Sequence, residues 1–133
     1  MEYSYGELAF ISYIVKGNSG NRFTVYLRLK DKVGVIEHTN THGELMEPRK
    51  EKLIKTSAFG PFMRKLQELD ILNWPRHKDD EKEPDRQSNV LLYSFKTPES
   101  DYIDYNTQGN SPEDLQAIQK AIEELLGETF ASY

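Results

Sequence analysis

Two histidines four residues apart, His38 and His42, with Glu37 and Glu44 beside them, are the side chains of this sequence that come nearest to metal chemistry. On one face of a helix that spacing would set two imidazoles on one ion. The surroundings are instead a strand end and the turn-forming run Thr39-Asn40-Thr41-His42-Gly43, with no acidic residue placed to orient either imidazole. A solvated loop is expected, and no metal. His77 beside Asp79 and Asp80 sits in a charged loop, which is poor at holding ligands in fixed geometry. Gly17-Asn18-Ser19-Gly20 has the composition of a phosphate loop, but a strand follows it where such a loop needs a helix and a Lys-Ser or Lys-Thr pair. It is read as a hairpin turn. No Gly-x-Ser-x-Gly elbow occurs, and no carboxylate pair stands out from the 22 acidic residues. The absence of cysteine removes thiolate catalysis, disulfides and cysteine-rich zinc sites, and fits a reducing compartment. The expectation is a protein without catalytic residues and without a cofactor.

The elements that would position any site must come from 133 residues of 37% hydrophobic content, enough for one globular domain over 1–133 and too few for two. Met1-Glu2 opens without a basic segment, and the longest apolar stretch, Leu8 to Val15, is broken by Ser12. It falls far short of the roughly 20 residues of a membrane helix, so a cytoplasmic protein with no membrane partner is expected. The net charge of −5 is unevenly spread: residues 1–65 carry 11 basic against 7 acidic side chains, and residues 66–133 carry 6 against 15. The chain is therefore basic in its first half and acidic in its second.

Leu8 to Lys16 and Arg22 to Lys30 are rich in β-branched and aromatic residues around the Gly17–Asn21 turn, and predict a hairpin. In the second of these strands Phe23, Val25, Leu27 and Leu29 alternate with Arg22, Thr24, Tyr26, Arg28 and Lys30, the pattern of a sheet wet on one side. Asp31-Lys32 turns into a third strand, Val33 to His38, and Arg49 to Ser57 reads as a lysine-bearing edge strand. The period then changes. Phe59, Phe62, Met63, Leu66 and Leu69 are spaced for a helix that Pro61 can start and Asn73-Trp74-Pro75 must stop. Arg76 to Asn89 holds no large apolar residue and is read as a mobile surface loop. Two strands follow, Val90 to Phe95 and Tyr102 to Tyr105, and then a helix signposted by Ser111 as cap, Pro112 in the first turn, and Glu113 and Asp114 at the positive end of its dipole. Leu115, Ile118, Ile122 and Leu125 form its apolar stripe, and Gly127 closes it. The predicted class is α+β: an antiparallel sheet of five to six strands with two helices packed on one face.

The order hairpin, helix, Leu72-Asn73-Trp74, charged loop, strand pair, Gly109-Asn110-x-Pro112 and amphipathic helix resembles that of a loose group of small, functionally uncharacterised bacterial α+β proteins. The likeness covers about residues 58–126. It departs where that group carries Asp-Gly and a tryptophan after the loop, since Asp85-Arg86 and the strand at Leu91-Leu92-Tyr93 stand here. The resemblance implies an α+β fold and no activity.

With chemistry set aside, recognition remains. The wet side of the second strand interleaves Tyr26 with Arg22, Arg28 and Lys30, and Arg49, Lys50, Lys52 and Lys55 are expected nearby. Together with Trp74 before the charged loop, Arg22, Tyr26, Arg28 and Lys30 are the expected partner-binding surface; the competing expectation for Trp74 is burial beneath the loop. The favoured partner is another protein, as for an inhibitor, immunity or adaptor protein. The alternative is a single-stranded nucleic acid, stacked on the aromatic platform within a basic groove, although the isoelectric point near 5.2 opposes it.

Overall fold

The computed structural model describes residues 4–16, 20–78 and 89–128. Its centre is one antiparallel sheet of seven strands: β1 (Leu8–Lys16), β2 (Arg22–Arg28), β3 (Val33–Thr39), β4 (Lys50–Leu53), β5 (His77–Lys78), β6 (Val90–Lys96) and β7 (Tyr102–Thr107). The order across the sheet is β4-β3-β2-β1-β6-β7-β5. The first four strands form a meander, as their turn-separated alternation predicts, and β6 and β7 form a hairpin. What joins the halves is the pairing of β1 with β6, in which Ile11 faces Tyr93 and Tyr13 faces Leu91. The register slips between Leu8 and Phe10, a bulge that sets Leu8 and Ala9 both inward.

Two helices, α1 (Thr56–Leu69) and α2 (Pro112–Leu126), cover one face of the sheet, which confirms the α+β class and its one-sided packing. Inward residues of β1, β2 and β6, among them Tyr13, Val25, Leu91 and Phe95, are fully buried against Phe62 and Leu66 of α1 and Ile118 and Ile122 of α2. Gly34 on β3 lets α2 come close, because a Cβ there would lie 2.8 Å from Leu126 Cδ2. Burying each Leu, Ile or Phe in this layer contributes about 1.5–3 kcal/mol, which outweighs the modest helix propensity of either segment.

Four details differ from the sequence expectation. Helix α1 begins at Thr56, so Pro61 lies inside it; Lys55 O accepts the amides of Ala58 and Phe59, which closes the first turn upstream of the proline. It ends at Leu69 with Asp70 left-handed at φ 59°, and one 3-10 turn, Ile71–Asn73, carries the chain on to Trp74. Strand β4 is shorter than the run Arg49 to Ser57, since Thr56 and Ser57 already belong to α1. At the start of α2 the Ser111 side chain makes no capping hydrogen bond: Asp114 Oδ2 accepts the Asn110 amide at 2.7 Å, and Ser111 O accepts the amide of Asp114. The far end is as expected, with Gly127 at φ 69° and its amide donating to Glu123 O at 2.8 Å.

The segment read as a mobile loop, 76–89, begins with β5, in which His77 pairs with Asn106 and Lys78 with Tyr105. Arg76 stacks on Tyr105, its guanidinium carbon 4.3 Å from the ring centroid, and donates to the Tyr93 hydroxyl at 3.2 Å. Residues 79–88 of that loop lie outside the described residues.

Candidate functional site

The face of the sheet turned away from the helices is open over β1 to β3, whereas Val90 and Asn106 on its β6–β7 side are each only 2% exposed. Because strand side chains alternate, the residues it presents follow from the register: Ser12 and Ile14 on β1, Thr24, Tyr26 and Arg28 on β2, Val33, Val35 and Glu37 on β3, and Leu92, Ser94, Asp104 and Asn106 on β6 and β7. Phe10 joins them, its ring 5.3 Å from that of Tyr102. Four large apolar side chains of this face are exposed: Phe10 at 37%, Tyr26 at 41%, Tyr102 at 46% and Leu53 at 83%.

Between β1, β2 and β3 the face sinks into a shallow hollow of about 360 Å³, lined by Phe10, Ser12, Tyr26, Arg28, Val35 and Glu37. Glu37 organises its rim. Arg49 Nε donates to Glu37 Oε2 at 2.7 Å, and the Tyr26 phenol neighbours the same carboxylate. Partial burial, and then the neighbouring Glu37 carboxylate, hold the Tyr26 phenol above its ordinary pKa, so it is a neutral hydrogen-bonding group at physiological pH. The arrangement offers an aromatic wall, a guanidinium and a carboxylate on a rigid sheet, which suits recognition.

Of the residues expected to form a binding surface, Tyr26 and Arg28 stand side by side on this face, and Arg22 lies on it at the far end of β2, opposite Lys16 and Thr39. Lys30 does not join them. Strand β2 ends at Arg28, and Lys30 in the following turn lines a different hollow with Lys32, Phe59 and Met63 at the edge of α1. Trp74 is likewise excluded: it is 5% exposed and belongs to the core on the helix side, where the turn after α1 folds it in. The basic run of β4 is also divided by the strand period. Arg49 reaches the open face through Glu37, whereas Lys50 and Lys52 point to the helix side, where Lys52 Nζ lies 2.7 Å from Glu128 Oε1 and Lys50 Nζ 3.9 Å from Glu128 Oε2.

The histidine pair is separated in role. His38 stacks on Phe23 with centroids 4.1 Å apart, and its Nδ1 lies 3.6 Å from Glu47 Oε1, while His42 sits in the exposed turn held by Asn40 Oδ1. Among the described residues no group of three or more histidines and carboxylates is placed to share an ion.

Phe10, Tyr102 and Leu53 were not among the sequence candidates. The signal for Phe10 was present: along β1, Phe10 and Ile14 alternate with Ile11, Tyr13 and Val15, so the strand is apolar on both faces, unlike β2. Tyr102 and Leu53 sit at strand ends, where alternation carries little weight.

Fold and site together define an α+β protein with one sheet face covered by helices and the other presenting an aromatic, mixed-charge surface. The chain matches no family model and no curated protein. No helix among the described residues is long and apolar enough to cross a membrane.

Proposed function

We propose that this protein is a non-enzymatic cytoplasmic binding module, of the inhibitor, immunity or adaptor type, that engages another protein through the open face of its sheet. The observation that carries the reading is the exposure of Phe10, Tyr26 and Tyr102 around Arg28 on a face that is otherwise ordered sheet. Aromatic residues and arginine dominate the energetics of protein interfaces, and an apolar patch of this kind is costly to leave in water.

Capture from native lysate with immobilised wild-type protein, set beside Phe10→Asp and Tyr26→Ala, tests it. The expected result is a retained protein lost with both variants while their far-ultraviolet dichroism stays that of the wild type; retention undiminished by both would sink the reading. Turnover of a substrate, abolished by a point change in the hollow, would also sink it. A single-stranded nucleic acid is the second reading, favoured by the adjacency of Tyr26 and Arg28 and opposed by Glu37, Glu51 and Asp104 on the same face. Its mark is binding that falls steeply with added salt and is lost in Arg28→Glu.

A further inference from the structure

The open face is self-complementary. Two adjacent rows of side chains cross it at right angles to the strands: Arg28, Phe10, Ser94 and Asp104 in one, and Tyr26, Ser12, Leu92 and Asn106 in the other, each read along β2, β1, β6 and β7. A two-fold axis parallel to the strands and passing between β1 and β6 would lay β2 of one copy over β7 of the other, and β1 over β6. Row by row it would then set Arg28 against Asp104, Phe10 against Ser94, Leu92 against Ser12 and Tyr26 against Asn106. Within these two rows each large side chain would meet a small or polar one, and the cation would meet the anion. Asn106 is itself covered, at 2% exposed, as is Val90 at the same end of the face, so the contacts that carry the arrangement are those of Arg28 with Asp104, Phe10 with Ser94 and Leu92 with Ser12.

Two further observations fit this arrangement. Neither Arg28 nor Asp104 has an ion-pair partner in its own chain among the described residues, and Asp104 is held in place by the Ser94 hydroxyl. β1 is apolar on both faces, as a strand covered on both sides should be.

We infer that the partner on the open face is a second copy of this chain, packed sheet on sheet in a two-fold dimer fixed by reciprocal Arg28–Asp104 ion pairs. The inference rests on the reading of this face as an interaction surface and names its occupant. Aligned sheets pack face to face about 10 Å apart, a gap that interdigitated Phe10, Tyr26 and Leu92 side chains would fill. Such an interface is isologous, so each charge contact occurs twice.

Sedimentation equilibrium over a wide concentration range tests it, with the wild type expected to associate to twice its 15.5 kDa. Arg28→Asp and Asp104→Arg should each weaken the dimer by at least tenfold. Mixing those two variants should restore association, because the aspartate introduced in one then faces the arginine introduced in the other, and the native Arg28 still faces the native Asp104. Restoration also shows that both variants fold. A monomer at every concentration, or variants that dimerise as tightly as the wild type, would overturn the proposal. If the wild type is monomeric and Phe10→Asp still abolishes capture of a lysate protein, self-association fails and the interaction surface survives. If Phe10→Asp alters neither association nor capture, both fail.

Discussion

At the scale of single residues, the most consequential side chain inside the protein is Tyr13. Its ring is fully buried in the middle of β1, and its hydroxyl donates to Leu115 O at 3.1 Å while accepting from Asn89 Nδ2 at 3.2 Å. Asn89 Oδ1 in turn accepts the Lys16 amide at 2.8 Å, so one asparagine just before β6 fixes the end of β1 and links it to α2. Burial pushes the Tyr13 phenol up to about 12, against an ordinary value of 10.0. The raised value means that the folded protein holds a proton the unfolded chain releases above pH 10. The stabilisation is therefore complete below pH 10 and disappears as pH rises toward 12, a loss of about 2–3 kcal/mol from this group. Alkaline urea titrations should show that decline, and Tyr13→Phe should reduce it while costing about 1–3 kcal/mol at neutral pH by leaving Asn89 Nδ2 without its acceptor. An equal alkaline slope in wild type and variant would refute the assignment. Little of this was legible in the sequence. Alternation places Tyr13 inward, but the partner of its hydroxyl lies 102 positions away, and no local spacing encodes that.

Elements were more legible than contacts, for a physical reason. A strand wet on one face or a helix with one apolar stripe writes its period into consecutive residues, which is why β1, β2, β6 and α2 stand where alternation and capping signals set them. β5 was hidden in the charged loop because two residues paired only through backbone leave no pattern. The direction of the β4 lysines was illegible until its register against β3 was known. That register turns Lys50 and Lys52 toward the end of α2, where Glu128 closes the pair, so an edge strand from the basic half is clamped to the helix of the acidic half. The Lys52 hydrogen bond and the charge of Lys50 hold the Glu128 carboxyl below its ordinary 4.5. A lowered value contributes stability above the unfolded value that fades as pH falls through the folded one. Glu128→Gln should cost at most ~1 kcal/mol near neutrality, as expected of a solvent-facing ion pair. The wild-type and variant curves should converge below pH 4; a gap that persists at pH 3 would assign the effect to packing and not to charge.

For the whole molecule, the decisive contact is the one that joins its two halves. β1 comes from the start of the chain and β6 from beyond the charged loop, yet they lie side by side in the sheet, each with a strand on both flanks. Their inward residues Ile11, Tyr13, Leu91, Tyr93 and Phe95 are at most 1% exposed, whereas β4 is mostly exposed and β5 is two residues long. Opening β4 breaks one short ladder and the Glu128 clamp. Opening β1 breaks two ladders and uncovers the core, which cannot happen without unfolding both halves. Free energies of local opening should therefore rise from the edges of the sheet to its centre. Amide hydrogen exchange tests this: the amides of β1 and β6 that bond within the sheet should exchange only through global unfolding and share one free energy and one denaturant dependence. Those of β4 and β5 should exchange several orders of magnitude faster and depend little on denaturant. The split expected of a two-part chain, with the meander and the β6–β7 hairpin each showing its own plateau, would mean that the β1–β6 pairing is not what unites the fold. The same gradient bears on the recognition surface proposed for the central strands. Phe10, Ser12, Leu92 and Ser94 sit on the two strands least able to move, so the rows they form are fixed before any partner arrives, and little ordering entropy opposes its docking.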